Sequence, residues 1–294
     1  MRKICILLIL AAAIVAADTY TSEIEKWHGD RLQRLKRDDG WLTLVGLSWL
    51  KEGENKIGSD PSNTVVLPKE HSPAHVGSIF LEKGKVRLAP LPQSGLLIAG
   101  KPATAQVLQT DGNGTGDPTK MTLGTISFYV IQREDKLAVR VKDQQSSTRR
   151  NFTGIQSFPI DAKWKFDAKY VPYNPPKKIP IANVLGMVSD EPSPGAVVFT
   201  VHGQTYRIDA LQDPGDPGLS LIFADGTTGK ETYGAGRYLD TPAPANGKVV
   251  VDFNKAYNPP CAFTHFATCP LPPPQNKLQV RIEAGEKTYK ESNH

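Results

Sequence analysis

Apolar residues run unbroken from Ile4 to Ala17, directly behind the basic pair Arg2 and Lys3. The run is shorter than the ~20 residues that span a bilayer. Val15-Ala16-Ala17 places small residues where a signal peptidase reads, so residues 1–17 read as an export leader and Asp18 as the mature start. A helical period follows. Ile24, Trp27, Leu32 and Leu35 share one face, and Ser22 with Glu25 has the form of a capping box. Asp38-Asp39-Gly40 predicts the end of that helix, and Lys26, Arg31, Arg34, Lys36 and Arg37 its solvated face.

Beyond Gly40 the period changes from 3.6 to two. Trp41 to Leu50 is a β-rich run. Ile126, Phe128 and Val130 alternate, Arg133 to Lys136 turns, and Leu137, Val139 and Val141 alternate again, which predicts a hairpin. Val197, Phe199 and Val201 run into His202-Gly203-Gln204, after which Tyr206 and Ile208 resume the alternation. Leu219–Ala224, Val249–Phe253 and Leu278–Ile282 read as further short strands, while 110–120 and Tyr173–Pro180 read as loops. Strands this short and frequent, with no helical pattern between them, predict an all-β protein of β-sandwich type rather than a parallel α/β sheet. Two parts are expected after the leader: residues 18–150, a helix plus β-sandwich, and residues 151–294, a second β region. The 25 Gly and 24 Pro among 294 residues fit this turn-rich picture.

Cleavage changes the charge and the cysteine count. Without Arg2 and Lys3, 33 basic side chains face 30 acidic ones, so the net charge falls from +5 to +3. That balance, with no basic stripe, excludes a nucleic-acid partner. Loss of Cys5 leaves Cys261 and Cys269, which in an oxidising compartment read as one disulfide closing a small loop. No other segment approaches transmembrane length.

Several motifs fail on inspection. Gly95 to Lys101 fits a phosphate-binding loop, but Pro102 stands where magnesium needs a hydroxyl, and no helix follows. Asp111, Asn113, Thr115 and Gly116 begin like a calcium loop, yet its closing position is Thr122 instead of Glu. His71 and His75 lie four apart, but Ser72-Pro73 makes the stretch a loop, against a zinc site. Asn113-Gly114-Thr115 and Asn151-Phe152-Thr153 are formal glycosylation sequons. No G-x-S-x-G elbow occurs, and the patterns imply neither metal nor cofactor.

Ile57-Gly58-Ser59, Asn63 to Pro68, Ser72-Pro73-Ala74-His75 and Ile79 resemble a forkhead-associated (FHA) domain. The resemblance implies a β-sandwich. Phosphothreonine recognition in that family depends on an arginine after the glycine, through bidentate bonds to phosphate. Here that position is Ser59.

The C-terminal third holds the densest polar sequence: Asp225-Gly226-Thr227-Thr228, Glu231 to Tyr238, and Asp252 to Phe263. Candidate binding residues are Glu231, Tyr233, Arg237, Asp252, Asn254, Tyr257 and Asn258, expected on loops and directed at a small molecule, peptide or glycan. Two functions are open. The first is a non-catalytic binding or scaffolding module of the cell envelope. The second is a metal-independent hydrolase, with Glu231 and Asp252 as acid and base and Arg237 lowering one carboxylate's pKa. A third possibility is that these residues form a network that only locks the loops. The strings ETYGAGRYL, DFNKAYNPPCAFTHFATCPLPPPQNKL and EAGEK resemble domain-of-unknown-function family 1684, with likeness running from about Trp27 through GWLTLVGLSWL and RRNFTGIQSFPID to Lys287. That resemblance implies no activity, substrate or catalytic residue.

Overall fold

The computed structural model describes residues 2–112, 116–213 and 215–289, with side chains from Asp18 onward in that range. The leader and Cys5 therefore lie outside the described side chains, and the first sequon outside the described residues. The chain divides into two compact units, one of residues 1–34, 153–263 and 268–294, the other of residues 35–152 and 264–267. Among the described residues no helix is long and apolar enough to cross a membrane.

The 35–152 unit is a sandwich. Its strands are β1 (Leu44–Trp49), β2 (Gly53–Gly58), β3 (Val65–Val66), β4 (Gly77–Glu82), β5 (Lys85–Pro90), β6 (Leu97–Ile98), β7 (Lys101–Pro102), β8 (Gln106–Val107), β9 (Met121–Leu123), β10 (Ile126–Arg133) and β11 (Lys136–Asp143). A six-stranded sheet runs β1-β11-β10-β9-β6-β7 and a five-stranded sheet β3-β2-β4-β5-β8. Side chains alternate between faces along a strand, so each sheet turns one apolar row inward. Ile57, Val65, Ile79 and Leu88 from one sheet meet Phe128, Val130, Val139 and Val141 from the other in a single core. The predicted β10–β11 hairpin is present, pairing Ile126 with Asp143 through to Arg133 with Lys136. The run from Trp41 opens instead with a 3-10 turn, Trp41–Thr43, before β1 begins. Thr43 Oγ1 there donates to Gly40 O at 2.7 Å, a local bond that competes with the ladder.

The other unit holds β12 (Lys165–Ala182), β13 (Val188–Val201), β14 (Gln204–Ala210), β15 (Leu219–Phe223), β16 (Arg237–Thr241) and β17 (Lys248–Asp252). A four-stranded sheet runs β14-β13-β12-β17, and β15 pairs with β16. Val197, Phe199, Leu221, Phe223, Leu239, Val251 and Phe253 fill the core between them. Tyr173–Pro180, expected as a loop, lies within β12. Its proline-rich part is absorbed as a register break between Pro172 and Lys177, where missing N–H donors interrupt the pairing with β13. Leu278–Ile282, expected as a strand, is irregular chain.

The helix, α1 (Arg2–Lys36), begins well before Ser22. Ser22 and Glu25 are exposed positions inside it, so the capping-box pattern does not mark its start. Ile24 and Leu35 are buried, as their spacing predicts.

Candidate functional site

Three carboxylates in the C-terminal unit organise its polar sequence, and each has drawn its partners from distant stretches of chain. Asp225 follows β15. Arg237 opens β16 and is fully buried, placing Nη2 3.3 Å from Asp225 Oδ1 and 3.1 Å from Ile282 O, with Nη1 donating to Ala284 O. Asp225 also accepts from Ile282 N at 2.7 Å, from Thr227 Oγ1 at 2.9 Å and from Thr228 Oγ1 at 3.2 Å. Burial pulls the Arg237 guanidinium below its ordinary pKa, and Asp225 opposes that pull. At the end of 278–282 the Ile282 N–H and C=O are spent on Asp225 and Arg237, while Leu278 N and Val280 O bond the backbone of Ala224 and Gly226. The preceding glycine is required. At Gly236, φ is +88° and a Cβ would sit 2.5 Å from Pro272 Cγ and 2.6 Å from Phe223 O.

Asp252 ends β17 and caps the 3-10 turn Phe253–Lys255, accepting from Asn254 N at 3.1 Å. Tyr20 of α1 donates to both Asp252 oxygens, at 2.9 and 3.0 Å. Asn254 ties the corner together: Nδ2 reaches Asp161 O at 2.9 Å, and Oδ1 accepts from Asp161 N at 3.0 Å. His28 Nε2 meets Asn254 O at 3.0 Å. Burial, then the Asp252 charge, raises the Tyr20 phenol above its usual range.

Glu286 is buried, 2% exposed. It accepts from Arg31 Nε at 3.2 Å and from Asn258 N at 2.7 Å, while Arg31 Nη2 donates to Asn258 O at 2.8 Å. Asn258 Nδ2 closes the node on Lys287 O at 2.7 Å. Burial raises the Glu286 carboxyl, and Arg31 pulls it back. The guanidinium also lies 4.7 Å from the Tyr257 ring centroid, and Tyr257 donates to Asp240 at 2.9 Å. Arg31, expected on a solvated face, is thus half-buried and committed to a carboxylate.

The candidate residues consequently fall into different surroundings. Arg237 belongs with Asp225, Asp252 and Asn254 with Tyr20, and Asn258 and Tyr257 with Arg31. Glu231 faces solvent and pairs with Arg281. Tyr233 is half-buried, donates to Cys261 O at 3.0 Å, and has its phenol pKa raised, chiefly by burial. Cys261 and Cys269 are buried thiols, with Cys261 N 3.1 Å from Cys269 Sγ. A hydrogen bond from Cys269 holds the Cys261 thiol below its ordinary value. Sequence reasoning missed Tyr20, His28, Arg31 and Glu286. Each acts across more than 220 residues, where no local period or motif reports it.

In the sandwich unit the FHA-like corner is built from the residues that suggested it. Gly58 has φ +153°, and a Cβ there would lie 2.1 Å from Ala74 O. Ser59 Oγ donates to Ser72 O at 3.0 Å, Asn63 Nδ2 to Ala74 O at 2.8 Å, and His75 Nδ1 meets Asn63 Oδ1 at 3.0 Å. These side chains hold one loop to another. His71 instead reaches Asp143 at 2.7 Å, and among the described residues no cluster of His, Cys, Asp or Glu could hold a metal ion.

Residues 150–287 match DUF1684, a family of unknown function. The DUF1684 match contains Asp225, Arg237, Asp252 and Glu286 but begins after Tyr20 and Arg31, so two of the three nodes draw a partner from outside it. It also leaves out the stretch from Trp27 to 149 over which likeness was expected. Similar solved structures include an uncharacterized protein of Haloarcula marismortui, 27% identical, covering 49% of this chain and 80% of its own, with a TM-score of 0.41. An FHA domain from work on phosphothreonine-dependent interactions is 21% identical, covering 34% of this chain and 96% of its own at a TM-score of 0.23. The FHA1 domain of yeast Rad53 is 12% identical, covering 42% and 75% at 0.20. No curated protein matches the chain.

Proposed function

We propose that the protein is a non-catalytic binding or scaffolding module of the cell envelope, exported through the leader at residues 1–17. The observation that carries this reading is the saturation of its carboxylates. Asp225, Asp252 and Glu286 each accept several hydrogen bonds from within the unit. A general acid or base needs a carboxyl that can reach a substrate proton. Glu231 and Asp252 have separate partners, Arg281 and Tyr20, and Arg237 pairs with neither in an ion pair. In the sandwich unit Ser59 and His75 are likewise engaged in hydrogen bonds between loops, and position 59 carries no arginine, which speaks against phosphothreonine capture.

In the oxidising compartment such an export route implies, Cys261 and Cys269 are proposed to bridge. The module reading is tested on the mature protein with a panel of esters and glycosides beside a glycan, peptide and small-acid binding screen. Ligand capture without turnover is expected. Turnover that disappears in Asp252→Asn would overturn the reading.

A further inference from the structure

A cleft of about 450 Å³ in the sandwich unit takes its walls from both sheets. Its apolar lining is Trp49 of β1, Leu50, Leu81 of β4 and Leu137 of β11. Leu137 belongs to the sandwich core, and Leu50 and Leu81 pack against that core partly buried. Three charged side chains, Glu52, Asp135 and Lys136, share the lining. The segment that carries Glu52 is fixed from inside. Asn55 is fully buried, accepts from Lys51 N at 2.9 Å and donates to Lys51 O at 2.7 Å and Gly53 O at 3.1 Å. Glu52 Oε1 accepts from Lys83 N at 2.8 Å, which ties it to the β4–β5 turn. Across the cleft, Glu134 holds φ +53°, as Lys83, Ala99, His202 and Asn246 hold similar values, but each of those is followed by glycine and Glu134 by Asp135. A carboxylate thus stands where the comparable two-residue turns carry no side chain. The side chains of Asp135, Lys136 and Trp49 have no hydrogen-bond or ion-pair partner among the described residues.

An apolar wall with uncommitted charges of both signs suits a ligand that carries the same combination. We infer that the cleft binds a small zwitterion with apolar side chains, of the size of a free dipeptide. Its ammonium group goes to Glu52 and Asp135, its carboxylate to Lys136, and its side chains to Trp49 and the three leucines. The volume lies in the range of small-molecule sites, where apolar contact supplies affinity and a few polar groups fix orientation. Trp49 adds a face on which the ligand's ammonium can also rest. The fixed Glu52 segment holds its carboxylate in place before the ligand arrives. The inference concerns the sandwich unit alone and stands apart from whether the C-terminal unit binds or catalyses. Substitutions at Asp135 and Lys136 leave every candidate residue of that unit intact, so the two readings fail separately.

The test is calorimetric titration of the mature protein with L-leucyl-L-leucine, its C-terminal amide, its N-acetyl derivative and glycylglycine. Saturable binding of leucyl-leucine is expected. Glycylglycine should bind about tenfold more weakly or worse, for want of apolar contact. Each blocked derivative should bind about fivefold more weakly, the loss of one solvent-exposed charge pair. Lys136→Met should cost the free dipeptide about fivefold and leave the amide unchanged, because the amide has no carboxylate to lose. Asp135→Asn should weaken the free dipeptide and the amide alike and leave the N-acetyl derivative unchanged. Both side chains are exposed, so the fold tolerates either change, and the control Lys101→Met, an exposed lysine outside the cleft, should alter nothing. Absence of saturable leucyl-leucine binding, or binding unchanged in both Lys136→Met and Asp135→Asn, overturns the site. Glycylglycine or the blocked derivatives binding as tightly as leucyl-leucine overturns the ligand class.

Discussion

Arg31 and Glu286 stand 255 positions apart in the chain, yet Nε of one lies 3.2 Å from Oε1 of the other, with only 3% of the Glu286 side chain exposed. Removing one partner of a buried pair strands the other charge, at a typical cost of about 3–5 kcal/mol. Arg31→Met should therefore lower the urea-unfolding free energy by an amount of that order. The double variant Arg31→Met/Glu286→Gln should recover much of it. The pH dependence of Arg31→Met has a definite sign. A carboxyl whose folded pKa is raised contributes stability that is present at low pH and lost as pH rises through the folded value. Arg31→Met should then close part of its gap to wild type on acidification. An additive double variant would show that the two residues do not act as a pair.

Acid stability of the sandwich unit should depend on Asp143. Burial pushes its carboxyl up, but hydrogen bonds from Gln145 N, His71 and Thr125 outweigh this and hold it below the ordinary value. A depressed carboxyl gives stability that is present above the unfolded pKa, ~3.9, and is lost as pH falls through the folded one. Wild type should lose stability steeply in that window, and Asp143→Asn should show a flatter profile and lower stability at neutral pH. Parallel acid profiles for the two proteins would remove this account.

What could be read from sequence and what could not divide along contact range. The β10 and β11 rows announce themselves because Phe128, Val130, Val139 and Val141 alternate within a few residues of one another. The stretch 278–282 shows a similar alternation but is no strand: Asp225 and Arg237 take the backbone groups of Ile282, and Leu278 and Val280 make only single bonds to Ala224 and Gly226. Arg31 sits in a run of basic residues that looks solvated, and only the approach of Glu286 distinguishes it from Arg34. Arg237 was legible as unusual, placed among turn glycines, yet its partner was not. Of the carboxylates in that region, nothing local selects Asp225 over Glu231 or Asp252.

The glycine before Arg237 gives a separate test. Gly236→Ala would place a Cβ 2.6 Å from the Phe223 carbonyl in a left-handed backbone. Strain of this kind costs about 1–3 kcal/mol from the backbone alone, before any clash. Thermal unfolding should show a clear loss, exceeding that of Gly234→Ala, whose Cβ would meet nothing nearer than 4.0 Å. Equal effects at the two glycines would mean the Arg237 corner is not held as described.

Cys261 and Cys269 should be found bridged in protein secreted under oxidising conditions. The thiols are already adjacent, so closure asks little rearrangement of the chain between them. Chain-entropy arithmetic for so short a loop gives about 2–3 kcal/mol of stabilisation, and reduction should lower the unfolding midpoint accordingly. Non-reducing peptide mapping decides the matter. Two alkylatable thiols in the denatured, unreduced protein would exclude the bridge.

The two functions open for the C-terminal unit separate at Asp252 and Glu231. Asp252 holds Tyr20, Asn254 and a 3-10 turn, so Asp252→Ala leaves buried donors without an acceptor, at about 1–3 kcal/mol. Glu231 shares an exposed pair with Arg281, and Glu231→Ala should leave the unfolding midpoint where it is. An acid/base pair behaves otherwise, because both substitutions would then abolish turnover while the fold tolerates each. A scaffold predicts unequal stability and no shared loss of activity. Unfolding curves and substrate panels on the same two variants distinguish the cases, since a structural carboxylate is found by its effect on the midpoint and a catalytic one by its effect on rate.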